Sequence, residues 1–424
     1  MKLLWIINRN IPQISEHCNP DKISDAGWIS SALDDIRNNA NPEIVVCFYD
    51  PMPITHGHIN GITYYSFNEN SFTKLYTSLE VFFINVIEKE NPDIIHIFGT
   101  EYPHSLSAVR ACEKTHMLDK CVINIQGLIS HCAEKYYAGL PVSAIHGFTP
   151  RDFLKMDNVY FQRRAFRKRG KYETKAIKTA KNIIGRTDWD CACVKKINPS
   201  INYFPCNESL RDCFYDKQWN YDTCEKHSIF ISQGYYPLKG MHHALKAFSE
   251  ILKKYPDAHL YTTDANEESR PLFYRLKHTT FYQLYIKRII KRYNLKGKIT
   301  FLGELNGPGM QDRYLKSNVF LLCSSLENSS NSLGEAMALG VPCISSYVGG
   351  ITSLISHNTE GFLYPFDEPY MISYYIDKIF SDYKLANSLS KNARAHALIT
   401  HSRDTNRNRL KEIYDLILEN KGEI

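Results

Sequence analysis

Two carboxylates eight positions apart, Glu327 and Glu335, bracket a run of small polar residues, Asn328-Ser329-Ser330-Asn331-Ser332. An apolar stretch over 318–323 precedes them, and Glu335-Ala-Met-Ala-Leu339 follows. By period this reads as a buried strand, a loop, a short helix and a further strand over 342–346. In a parallel sheet such a loop lies at the carboxyl end of a strand, where ligands bind. The amides of Asn331 to Gly334 stand at the helix start and offer a seat for phosphate. Carboxylates beside that seat can hydrogen-bond hydroxyls, so a ligand with both phosphates and hydroxyls, such as a nucleotide sugar, matches the arrangement. Two plainer readings stand next to it. Ser332 and Glu335 have the spacing of a capping box, and Glu327 that of a solvated loop acid.

Further along the same logic, Ser228-Ile-Phe-Ile-Ser232 reads as a strand, and Lys239-Gly240 stands where the next helix begins. A cation at a helix N-terminus opposes the macrodipole, so Lys239 invites an anionic partner; the alternative is a surface lysine. Gly27 opens a helix after the first strand and its long loop, where the lack of a side chain permits close approach of a phosphate or sugar. Gln126 ends a strand over 122–125. It can hydrogen-bond a sugar hydroxyl but cannot titrate near neutral pH, or it is a plain turn amide. His96 lies inside an apolar strand and reads as a core histidine, whereas His104 and His131 fall in loops after strands.

These residues need elements to hold them. Short apolar runs over 3–7, 44–49, 94–98, 122–125 and 182–185 alternate with helical stretches, and five more follow over 228–232, 258–262, 298–302, 319–323 and 342–346. Alternation of this kind predicts parallel α/β architecture, here as two Rossmann-like domains, 1–206 and 228–402, joined by a linker over 207–227. The stretch Asp404 to Leu418 reads as an amphipathic helix. A chain of 424 residues with 43% hydrophobic content can fill two cores. Twelve cysteines show no disulfide or zinc framework, which predicts a reducing cytosol. No run of about eighteen apolar residues is present, so no transmembrane helix is expected. The net charge of +6 gathers in two runs, Arg163 to Lys181 and Arg275 to Lys298. Solvated faces are the plain account of both; contact with an anionic membrane surface is the sharper one. No nucleic-acid recognition motif accompanies them, so no nucleic-acid partner is expected.

From Glu327 through Glu335-Ala-Met-Ala-Leu-Gly-Val-Pro342 and Gly349-Gly350 to Glu360-Gly-Phe-Leu363, the chain resembles the retaining family 4 glycosyltransferases (glycosyl transferases group 1) of the GT-B fold. The resemblance implies an α/β protein with two Rossmann-like domains facing across a cleft and a terminal helix, 403–424, that crosses back to the first. It places Glu335 on the donor ribose, Glu327 against the transferred sugar, and the amides of Asn331, Ser332 and Leu333 on the donor phosphates. Lys239-Gly240 matches the end of the family's Arg-x4-Lys-Gly phosphate motif, but Gly234 holds the arginine position, leaving Arg186 as a candidate second cation. Gln126 stands where many relatives have a histidine, and Gly27 where they have a glycine-rich loop. Lys239, Glu327 and Gln126 are then the catalytic set, and Glu335, Asn331, Ser332, Leu333, Gly27 and Gly240 bind the donor. No metal and no cofactor is implied; the nucleotide-diphosphate sugar is a substrate. The implied reaction is transfer of a hexose, with retention, to a hydroxyl of a glycan or lipid-linked glycan. That is a polysaccharide-building step by a cytoplasmic protein, peripheral on the inner face of the cell membrane. Competing readings are a nucleotide-sugar epimerase of the same fold and a non-catalytic nucleotide-sugar or glycan-binding protein.

Overall fold

The computed structural model describes residues 1–14, 27–40, 42–51, 55–69, 71–264, 271, 274 and 277–419. Contacts divide the chain into two compact units: 1–131 with 166–211 and 401–424, and 132–165 with 212–400. Each is built on a sheet with helices.

The first unit carries eight strands: β1 (Lys2–Ile7), β2 (Glu43–Tyr49), β3 (His56–Ile59), β4 (Ile62–Phe67), β5 (Ile94–Phe98), β6 (Cys121–Asn124), β7 (Asn182–Gly185) and β8 (Asn202–Pro205). Their order is β3-β4-β2-β1-β5-β6-β7-β8, parallel except for the β3–β4 hairpin. The central strands are apolar on both faces because helices cover both faces. Side chains alternate between two core layers. Leu4, Ile6, Val45, Cys47, Ile95 and Ile97 fill one; Leu3, Trp5, Ile7, Val46 and Phe98 fill the other. The helix Arg403–Leu418 completes the second layer with Ile413, Tyr414 and Ile417. His96 lies fully buried there, its Nδ1 2.7 Å from the Tyr414 hydroxyl.

The second unit carries β9 (Glu225–Ile231), β10 (His259–Thr262), β11 (Ile299–Phe301), β12 (Ser317–Leu322), β13 (Cys343–Ser346) and β14 (Gly361–Tyr364). The order is β11-β10-β9-β12-β13-β14, parallel throughout. The sheet starts at β9, grows outward through β10 and β11, then returns to β12 on the other side of β9.

All ten expected strands form, and β3, β4, β8 and β14 are added to them. The β3–β4 hairpin turns at Asn60-Gly61, both with positive φ (51° and 76°), the two-residue turn that Asn-Gly favours. Its strand His56–Ile59 is too polar to read as apolar. The stretch 132–165, placed with the first domain from sequence, packs instead with the second unit. The Ala138 carbonyl lies 2.7 Å from His242 Nε2, and the Asp152 carboxylate accepts the Phe281 amide at 2.7 Å.

Candidate functional site

The strands of the second sheet stay parallel, but the direction in which the sheet grows reverses between β9 and β12, and ligands bind outside the strand ends at such a switch point. After β9 the chain makes one 3-10 turn, Pro237–Lys239, passes Gly240, and enters the helix Met241–Lys254. After β12 it runs through Glu327 to the helix Asn331–Leu339. The two loops are stitched together. Ser325 N donates to the Leu238 carbonyl at 2.7 Å, and Cys323 Sγ to the Lys239 carbonyl at 3.1 Å. Gly240 has φ +70°, and a Cβ there would stand 1.8 Å from the Cys323 carbonyl oxygen. Only glycine lets the loops approach this closely.

That approach sets Lys239 Nζ 2.6 Å from Glu327 Oε1, and the Ser324 hydroxyl donates to the same oxygen at 2.6 Å. The two side chains keep 16% and 13% of their exposure. Burial alone would pull the Lys239 ammonium down. The Glu327 carboxylate and the Tyr236 phenol beside it more than reverse this, so Lys239 stays charged. Burial pushes the Tyr236 hydroxyl up, and its ring lies 5.9 Å from the ammonium. A second glycine fixes the acid from behind. A Cβ on Gly349 would stand 2.0 Å from the Glu327 carbonyl oxygen, and Gly350 N donates to that oxygen at 3.1 Å.

Glu335 is 7% exposed and lies in the second turn of its helix. The N-cap is Ser330, not Ser332: Ser330 Oγ accepts from Leu333 N at 3.4 Å, and the two serine hydroxyls lie 3.0 Å apart. Glu335 is therefore out of register for the capping box that the sequence spacing allowed, and that reading falls. The Tyr314 hydroxyl stands 3.5 Å from Glu335 Oε2 and donates to the Ser332 carbonyl at 3.0 Å. Asn331 and Ser332 are half-buried at the helix start, and Leu333 turns its side chain into the core.

Gly234, at the arginine position of the motif, is closely packed. Its amide donates to Asp264 Oδ1 at 2.9 Å, and a Cβ there would meet the Met241 methyl at 2.6 Å and Asp264 Oδ2 at 2.7 Å. Burial pushes the Asp264 carboxyl up. Sequence reasoning missed Asp264, Ser324 and Tyr236. Asp264 follows β10 as Lys239 follows β9 and Glu327 follows β12, so its place just past a strand's carboxyl end was the available signal.

In the first unit, Gly27 opens the helix Gly27–Ala40; Asp25 and Ala26, just before it in the chain, lie outside the described residues. Gln126 follows β6, and its Nε2 donates to Asn124 Oδ1 at 2.8 Å and Glu208 Oε1 at 2.6 Å. Arg186 pairs with the other Glu208 oxygen at 2.7 Å and donates to the Gln126 carbonyl at 3.2 Å, so this guanidinium is engaged inside its own unit. His104 is buried, 2.9 Å from Glu69. His131 stands half-buried with its ring edge-on to Trp189. Among the described residues, no group of three or more His, Cys, Asp or Glu is placed to hold a metal ion, and no helix is long and apolar enough to cross a membrane.

Residues 215–396 match the family glycosyl transferases group 1. An uncharacterized glycosyltransferase of Methanocaldococcus jannaschii is 25% identical over 199 residues, 47% of this chain and 47% of that protein. The chain spans about half the length of the curated relatives it matches. Among solved structures, sucrose-phosphate synthase from Thermosynechococcus elongatus aligns over 99% of this chain and 100% of its own, at TM-score 0.73 and 15% identity. Anabaena HepE in complex with UDP-glucose aligns over 98% and 99%, at TM-score 0.66 and 14% identity. These likenesses show the fold: two parallel-sheet α/β units of the GT-B type.

Proposed function

We propose, for a chain whose residues 215–396 belong to the glycosyl transferases group 1 family, that it transfers a hexose from a nucleotide-diphosphate sugar to a hydroxyl acceptor with retention at the anomeric carbon. The observation that carries this reading is the Lys239–Glu327 contact at the switch point of the second sheet, beside the N-terminus of the helix that bears Glu335. In the free chain the Lys239 ammonium is held by a carboxylate. A donor diphosphate offers it a second, more highly charged partner, and the first-turn amides of Asn331–Leu339 add their dipole. Charge grows on the diphosphate as the glycosidic bond breaks, so Lys239 acts most strongly in the transition state. Glu327 Oε1 stays tied to Ser324 and Lys239, and its other oxygen faces the transferred sugar. Glu335 takes the ribose hydroxyls. Gln126 and Gly27 belong to the acceptor-side unit in this reading, where Gln126 bonds a sugar hydroxyl and the leaving diphosphate itself takes the acceptor proton. No metal or cofactor enters.

The acceptor in this reading is a lipid-linked glycan intermediate of a cell-surface polysaccharide, met at the inner face of the cell membrane by a cytoplasmic protein. The strongly basic helix Val159–Thr179 supports it, with Arg164, Arg167, Lys168 and Lys171 exposed. Nucleotide-sugar donors are also what solved neighbours such as HepE were captured with. The test is product analysis. Purified protein, donor and acceptor should yield nucleoside diphosphate and a glycoside whose anomeric configuration, read by NMR, matches the donor. Interconversion of free nucleotide sugars without acceptor would make it an epimerase. Binding without any donor turnover would make it a binding protein.

A further inference from the structure

Large apolar side chains exposed to water are scattered over this chain except in one place. Of seventeen among the described residues, six fall between 142 and 160: Val142, Phe148, Phe153, Leu154, Met156 and Tyr160. Leu154 is 83% exposed and Phe153 69%. Single exposed apolar residues are ordinary, but four within the nine residues 148–156 mark an interaction surface.

The scaffold beneath them is well held. Two short helices, Val142–Ile145 and Pro150–Lys155, lie on the second unit. Thr149 and Asp152 form a complete capping box, and the fully buried Asp152 also accepts the Phe281 amide at 2.7 Å. Gly147 packs so tightly on the Phe281 ring that a Cβ would stand 2.1 Å from it. The apolar tips are thus displayed on an anchored element.

Charge selects the partner. Between 141 and 165 the only acids are Asp152 and Asp157, and Arg151 holds both, at 3.0 and 2.7 Å. Lys155 and Arg164 remain exposed on the same stretch, and the exposed Arg288 stands 5.2 Å from the Phe281 ring. Apolar tips beside exposed cations that pair with no acid among the described residues suit a surface that is apolar within and anionic at its face. Phe161 and Phe166, the aromatics nearest the basic run in the sequence, are half-buried; Phe161 packs against Phe148 and Tyr160.

We propose that Phe148, Phe153, Leu154 and Met156, with Lys155, Arg164 and Arg288 around them, form a membrane-interface anchor that seats this chain on an anionic bilayer. The proposal rests on the lipid-linked acceptor reading and supplies the surface by which the enzyme reaches it.

Co-sedimentation with phosphatidylcholine vesicles, with and without phosphatidylglycerol, tests it on the full chain. The parent should bind the anionic vesicles and leave the neutral ones. The double variant Phe153→Ser/Leu154→Ser should bind at least about tenfold more weakly, with an unchanged circular dichroism spectrum and unchanged nucleotide binding. Arg164→Gln with Arg288→Gln should weaken binding and reduce its salt dependence. Three results overturn the proposal: no binding to anionic vesicles, parental binding by the double variant, or a parent that dimerises through this face and becomes monomeric in the variant. Nucleotide binding followed in the same samples keeps the two claims apart. Its loss in the parent sinks the sugar-transfer reading, and vesicle indifference with nucleotide bound sinks the anchor alone.

Discussion

Replacing Glu327 with alanine separates the roles given to the two ends of the ion pair. Removing one partner of a buried pair typically costs about 3–5 kcal/mol, because the other charge is left without a counter-ion. Here Lys239 and Glu327 keep 16% and 13% of their side-chain exposure, so water relieves part of that and about 2 kcal/mol is expected. For a unit of this size that lowers the melting temperature by about 4–8 °C. The effect on ligands is opposite in sign for the two halves of the donor. A nucleoside diphosphate meets a Lys239 no longer neutralised by Glu327, so its affinity should hold or rise, and it should restore much of the lost thermal stability. The nucleotide sugar loses its contact with the acid and should bind at least about tenfold more weakly relative to the diphosphate. Glu327→Gln keeps the shape and can still accept from Ser324, so its melting temperature should lie between those of alanine and parent. Calorimetric titration of diphosphate and sugar donor into each protein, with melting curves, reads all of this. Equal loss of both ligands would refute the assignment and make Glu327 a loop organiser.

Glu335→Gln should weaken donor binding by about 1–3 kcal/mol and leave the melting temperature near that of the parent, because Ser330 caps the helix and Glu335 has no part in that cap; calorimetry and melting curves together check both halves. Gly349→Ala places a methyl 2.0 Å from the Glu327 carbonyl at a positive φ, so it should shift the Glu327 loop and reproduce the sugar-donor defect in a turnover assay without removing any reacting group. Gly234→Arg, which restores the family's cation, should destabilise the protein rather than activate it, since Met241 and Asp264 fill the space a side chain needs; kcat at or above the parent's with an unchanged melting temperature would contradict this. The His242 ring, buried beside His243, is held down to about 3. The unfolded state, with histidine near 6.5, therefore binds the extra proton between those values, so the His242 contribution is level above about pH 6.5 and costs about 2 kcal/mol at pH 5; buried His96, also held down to about 3, adds a slope of the same sign. His242→Gln should reduce the slope, read in denaturant melts at pH 5 and pH 7, and leave the His96 share in place.

The sheet order and the site loops were legible in the sequence to different depths. Runs such as Leu3 to Ile7 announce themselves because a parallel sheet buried on both faces leaves no polar position to obscure them. His56–Ile59 and Asn202–Pro205 did not, because edge strands are only half covered and tolerate polar residues. Lys239, Glu327 and Glu335 stood out by type and spacing, but the salt bridge between the first two did not, since it depends on β9 and β12 being neighbours, which no local pattern records. The capping register turned on a two-residue shift between Ser332 and Ser330 that spacing alone could not resolve. The docking of 132–165 on the second unit was hidden for a similar reason. Its anchors, Ala138, Asp152 and Gly147, meet residues more than a hundred positions away.

In the proposed reaction the Lys239 ammonium at the β9–β12 switch point discharges a nucleotide-sugar donor. Release of nucleoside diphosphate from UDP-, GDP- and ADP-sugars by the purified chain tests it most directly, with parent and Lys239→Ala run side by side. The parent should discharge at least one donor above the buffer rate, and Lys239→Ala should lose kcat by a larger factor than it loses donor affinity. Equal discharge by parent and variant would contradict it.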